Sequence, residues 1–190
     1  MESLYDPDGN RLYLTKAERQ AFLAAAAKAP REERSFCEVL CFTGCRISEA
    51  LTLTPRQIDL DEKALVFETL KKRREGVFRA VPVPDSLLDT LDLVHGLRER
   101  QTRRNERLWS WSRVTAWRKV KSVMEEAGIA DGAHASPKGL RHGFGVHGVT
   151  SGVPLNMLSK WMGHSTIETT AIYANALGEE QRQIAERMWG

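Results

Sequence analysis

Between Pro55 and Pro84 the chain changes its hydrophobic period. "ALVFETL" (64–70) and "VFRAVPV" (77–83) are short, rich in β-branched and aromatic residues, and separated by "RREG", which suits a hairpin turn. Pro82 and Pro84 place the second strand at an edge, because proline donates nothing to a ladder. On both sides of this segment the pattern is helical. A chain with one strand pair inserted between helical stretches is predicted to be mostly α with a small antiparallel β-sheet, an α+β fold.

The helices are punctuated by clear signals. "TKAE" is a Thr-x-x-Glu capping box opening a helix over 15–29, which Pro30 stops. A second helix spans 32–43 and breaks at Gly44; "RISEALTL" (46–53) starts a third, with Leu51 and Leu53 turned inward. Helical period returns from Ser86 to about Arg100, and again over 112–127 between Ser112 and Gly128. Ser136 and Pro137, a cap and a first-turn proline, open a helix that contains Gly139, Gly143, Gly145 and Gly148. Each glycine costs a helix interior up to about 1 kcal/mol relative to alanine, so close approach of a ligand or of a neighbouring helix must offset it. Helices near 154–162, 166–174 and 179–188 complete the chain.

The 190 residues suit one domain with a sizeable core, or two very small ones. The chain lacks an apolar run of roughly 18 residues, the length a membrane span needs, and "MESLYDPDGNRLYLT" does not read as a secretory signal, which points to the cytoplasm. Cys37, Cys41 and Cys45 recur every four residues and would share one helix face. Core packing accounts for them better than zinc, which favours closer pairs and a fourth ligand. The net charge of +3 is modest but clustered in "KKRREGVFR" (71–79) and "RERQTRRNER" (98–107). Such clusters suit a polyanion, although the second reads equally well as a solvated loop.

"WMGHSTIETTAIYAN" (161–175) places His164 and Tyr173 nine residues apart. On one continuous helix they would face opposite ways. Gly163 can end one helix and Ser165 can cap the next, leaving His164 in a turn and Tyr173 late on a separate helix. Lys138 and Arg141, three apart, share a face of the glycine-rich helix, with His142 and His147 off it. Two adjacent cations repel unless an anion lies between them. Arg46 sits in an apolar neighbourhood and needs a partner, either Glu49 one turn on or a phosphate, whose oxygens match the guanidinium fork.

"FTGCRISEALTLTPRQIDL", the basic hairpin and "PKGLRHGFGVHGVTSGVPLNMLSKWMGHSTIETTAIY" resemble the catalytic domain of tyrosine recombinases, the phage-integrase family, over about residues 12 to 175. That family carries an arginine in a T-G-x-R-x-x-E-L setting, a hairpin lysine, a His-or-Lys-x-x-Arg pair, a Gly-His turn and a tyrosine about nine residues further on. The resemblance assigns these positions to Arg46 (with Glu49 following), Lys71, Lys138 with Arg141, His164 and Tyr173. Lys72 is the alternative hairpin lysine, and Ala50 replaces the usual leucine. Lysine at 138 departs from the commoner histidine. Lys72, Arg73, Arg74 and Arg79 are the expected DNA-contacting side chains.

The resemblance implies cleavage of double-stranded DNA by Tyr173, giving a 3′-phosphotyrosyl link and a free 5′-hydroxyl, with no ATP, metal or other cofactor. Arg46, Arg141 and His164 would stabilise the non-bridging oxygens and Lys71 would protonate the leaving oxygen. The implied partners are DNA, further copies of the chain in a tetrameric synapse, and DNA-bending accessory proteins, with no membrane involved. The expected organisation is a single catalytic domain over 1–190. Residues 1–11 form an extension and 176–190 a tail helix docked in cis or in trans, and the family's N-terminal core-binding domain is absent. Relaxation of supercoils in the manner of type IB topoisomerases, and non-catalytic DNA binding on the same scaffold, are the competing functions.

Overall fold

Local chemistry sets most helix ends. In the computed structural model, which describes residues 3–68, 76–99, 105–175 and 179–189, the expected capping box forms. The Glu18 N–H donates to Thr15 Oγ1 (3.2 Å) and the Thr15 N–H to the Glu18 carboxylate (2.8 Å), opening α1 (Lys16–Ala26). Helix α2 (Arg31–Thr43) stops at Gly44, whose φ of 61° is left-handed. A β-carbon at Gly44 would lie 2.4 Å from the Phe144 ring, so both conformation and space demand glycine there. Helix α3 (Ile47–Ala50) is a single turn, shorter than the expected 46–53, although Leu51 and Leu53 are buried as expected.

The sheet is antiparallel in the order β1 (Ile58–Asp59), β2 (Ala64–Glu68), β3 (Phe78–Pro82). Strand β3 is at the edge, as its prolines require, whereas the two-residue β1 is too short to show a period in sequence. Helix α4 (Asp85–His95) ends at Gly96, left-handed at φ 61°, rather than near Arg100. Helix α5 (Arg113–Glu126) is capped by Ser112 and α6 (Pro137–Thr150) by Ser136. Helices α7 (Leu155–Met162), α8 (Glu168–Ala171) and α9 (Glu179–Trp189) follow, with a 3₁₀ turn at Ile172–Asn175. Ser165 is not the cap of α8: the chain stays irregular to Ile167, and Tyr173 lies in the 3₁₀ turn rather than on an α-helix.

Apolar side chains gather in two clusters, and α6 contributes to both. The larger includes Phe22, Phe36, Leu65, Leu87, Trp109, Met124 and Leu140. Full burial of such a side chain is worth about 1.5–3 kcal/mol. The three cysteines are part of it, and burial pushes the Cys45 thiol up to about 12. The smaller comprises Leu4, Tyr13, Val146, Leu158, Met162 and Tyr173. The glycines of α6 are explained by contact: β-carbons there would meet the His134 carbonyl (Gly139), the Leu14 carbonyl (Gly143), the Tyr173 ring (Gly145) and Leu158 (Gly148). Packing against the chain itself offsets their cost. Helix α9 lies beside α6 of its own chain, leaving Met188 and Trp189 exposed.

One ion pair joins sheet and helices. Glu49 on α3, 1% exposed, accepts two hydrogen bonds from Arg79 of β3, at 3.2 and 2.7 Å. Arg79 Nε donates to the Trp161 carbonyl of α7 (2.8 Å), and its guanidinium lies over the Phe67 ring. Arg79 is therefore not among the exposed DNA-contacting groups expected from sequence. It shares the inner face of β3 with Val81 and is 5% exposed.

Burial pushes the Glu49 carboxyl up, but Arg79, with the backbone and charge of Arg46, outweighs this and holds it below the ordinary 4.5. A carboxyl depressed on folding contributes stability above its unfolded value and loses it as pH falls through the folded one. Glu49→Ala, which strands a buried guanidinium, is expected to cost about 3–5 kcal/mol in denaturant unfolding at pH 7. The difference from the unmodified chain should shrink on acidification below pH 4.5.

Candidate active site

The turn after α2 and the first turns of α5 and α6 enclose an open cleft of about 310 Å³. Arg46, Arg113, Lys138 and Arg141 supply its cations, Trp117 and Ile47 its apolar wall, and His142 one side; among the described residues lining it none is acidic. Four cations facing one cleft repel each other, which an anionic ligand relieves.

Arg46 precedes α3. Its backbone N–H donates to Glu49 Oε2 (2.8 Å) and its guanidinium reaches Glu49 Oε1 (3.2 Å), while the side chain stays 44% exposed. Arg46 thus has the carboxylate partner read from sequence, and it also lines the cleft. Arg141 is fixed more tightly. It donates to the carbonyls of Gly44 (2.6 Å) and Met162 (2.8 Å), which lie where α2 and α7 end. Carbonyls at helix C-termini lack intrahelical donors and carry the negative end of the dipole, so a cation suits both. Burial, then the neighbouring Arg46 charge, pushes the Arg141 pKa down. Lys138 stands exposed at the mouth.

His164 follows Gly163, whose φ of 66° ends α7, and its N–H bonds back to the Ser159 carbonyl (3.0 Å). Its Nδ1 shares a 2.8 Å hydrogen bond with the Thr170 hydroxyl, and its ring stacks on that of Tyr173 with centroids 6.2 Å apart. Tyr173 is 1% exposed. Its ring covers Gly145, where a β-carbon would sit 2.5 Å away, and its hydroxyl lies 3.2 Å from His142 Nδ1.

The structure thus gathers Arg46, Lys138 and Arg141 in one cleft and places His164 with Tyr173 in a seat behind it. His142 touches both. Lys71, Lys72, Arg73 and Arg74 lie outside the described residues. Three participants escaped the sequence reading. His142 is four residues after Lys138, a spacing that returns it to the same side, so its placement off that face was incorrect. Arg113 and Trp117 have the same i, i+4 relation on α5, visible in the sequence directly after the Ser112 cap, and the indole is 45% exposed.

The sequence matches the model of the phage integrase family over residues 12–180. It is 33% identical over 161 residues to tyrosine recombinase XerD of Mycobacterium tuberculosis, covering 80% of this chain and 50% of that protein. The chain thus spans about half the length of this curated relative. Among solved structures the XerA recombinase superposes with a TM-score of 0.80 at 22% identity, covering 94% of this chain and 65% of that one. The XerH site-specific recombinase bound to difH substrate does so with a TM-score of 0.74 at 18% identity, covering 98% and 60%. With nearly the whole sequence inside the family match, and the fold shared with solved recombinases, the chain belongs to the phage integrase family of tyrosine recombinases.

Proposed function

We propose that this chain is the catalytic part of a site-specific DNA recombinase that breaks and rejoins strands through a 3′-phosphotyrosyl intermediate, in integration, excision or inversion. The observation that carries the reading is the cleft where Arg46, Lys138 and Arg141 converge, with Tyr173 seated behind it. A scissile phosphate in the cleft would meet both guanidinium groups. Each preorganised donor to a developing oxyanion is worth about 3–4 kcal/mol. Arg141, pinned by two main-chain carbonyls, needs no reorganisation on binding.

In the reaction Tyr173 Oη attacks phosphorus, the bond to O5′ breaks, and the covalent link preserves the bond energy for rejoining. Lys71, or Lys72, protonates the departing O5′. Lys138 adds positive charge at the mouth, and His164 joins the phosphate once the turn after α7 closes on DNA. The side-chain cations supply the charge stabilisation that a divalent metal gives other phosphoryl-transfer sites. The tyrosine is buried, so cleavage requires the 3₁₀ turn to lift from Gly145. The partners under this reading are a DNA duplex and three further copies of the protein in a synapse, with DNA-bending proteins assisting.

Trapping tests it directly. The protein is incubated with plasmid DNA bearing random inserts, quenched in denaturant, and the attached residue and DNA ends are sequenced. The expected adduct is on Tyr173; Tyr173→Phe abolishes it and Arg141→Ala lowers its rate about 10²- to 10³-fold. Relaxation of supercoiled plasmid with no preferred end would instead indicate a topoisomerase. Gly145→Ala should unseat the Tyr173 ring, read as increased hydrogen exchange over 170–175 and faster nitration of Tyr173 by tetranitromethane. Binding to a duplex should weaken steeply with salt, with a log–log slope set by the number of phosphates contacted.

A further inference from the structure

Cleavage requires the phenol of Tyr173, which titrates near 10 when unperturbed, to give up a proton. Lys138 stands exposed at the cleft mouth, where an imidazole is the commoner family choice. One turn further along α6, His142 is 3% exposed, lines the cleft beside Arg141, and holds its Nδ1 3.2 Å from the Tyr173 hydroxyl. That distance is within reach for proton transfer. The two rings lie 5.9 Å apart at 55°, so the imidazole meets the phenol at its hydroxyl end rather than face to face. His164 is disposed differently, with its Nδ1 on Thr170 and its ring stacked on the phenol.

Resting on the reading of Tyr173 as nucleophile, we propose that His142 is a catalytic residue: the proton acceptor for Tyr173 in strand cleavage and the proton donor to it in rejoining. In cleavage the Oη–P bond forms and the P–O5′ bond breaks. The phenol proton passes to Nδ1 of the imidazole, in the tautomer protonated at Nε2, while O5′ takes a proton from the hairpin lysine. In rejoining O5′ returns its proton to the lysine and attacks phosphorus, the Oη–P bond breaks, and the imidazolium returns its proton to Oη. His142 borders both the cleft and the seat of the tyrosine, so the imidazole stands between the phenol and the place of the phosphate. Among the described residues, the charged and titratable groups around His142 are Lys138 and Arg141 on α6, Arg46 before α3, Arg113 on α5, and Tyr173 with His164 behind it.

The test is single-turnover adduct formation on a nicked duplex carrying the cleavage site mapped by trapping, followed from pH 5 to 9. His142→Asn is expected to lower the rate about 10²- to 10⁴-fold and to remove the acidic limb of the profile. His164→Gln, also slower, should retain that limb. Duplex affinity within about threefold of the unmodified chain shows that His142→Asn is folded, and His142→Gln replaces it if it is not. A His142 variant with an unchanged rate, or a slowed one that keeps the acidic limb, overturns the assignment while leaving the recombinase reading intact. Absence of any Tyr173 adduct from the unmodified chain overturns both.

Discussion

Glu49 is the constraint on which the rest of this architecture depends. A carboxylate so deeply buried is tolerable only when its charge is matched, and here Arg79 matches it with two hydrogen bonds. Arg79 also bonds the end of α7, so one anion connects the short helix before the sheet, the sheet edge, and the helix that leads to His164. What remains of the acceptor capacity of Glu49 holds Arg46 by its backbone and its guanidinium. Without that carboxylate, Arg46 would have no fixed origin from which to face the cleft.

The fold was legible in the sequence wherever the signal was local. The capping box at Thr15, the stops at Gly44 and Gly163, the cap at Ser136 and the change of period around 64–83 all appear in the structure. Departures come where tertiary packing decides. The helix after Arg46 is a single turn capped at Leu51, although Leu51 and Leu53 are both buried, and α4 stops at a left-handed Gly96 that a sequence pattern can run through. The α6 glycines raised the right question, but which partner met each one depended on segments distant in sequence.

The site was legible as a set of residues and less so as an arrangement. Motif order singled out Arg46, Lys138, Arg141, His164 and Tyr173 as candidates, yet it could not show that the tyrosine sits behind the cleft in an apolar cluster with Leu4 and Tyr13. Arg79 was misassigned because a basic run hid the period-two alternation that places it with Val81 inside. His142 was misplaced by treating a helix face as a pair of positions three apart rather than a stripe that also includes the fourth.

The two anchors of Arg141 are peptide oxygens of Gly44 and Met162. Every amino acid carries that oxygen, so replacing the Met162 side chain leaves its acceptor in place. Repositioning the guanidinium instead requires shifting whole helix ends. The orientation of this arginine is thus specified by the path of the main chain, which makes it tolerant of residue changes at its anchors and sensitive to insertions or deletions that alter where α2 or α7 terminates.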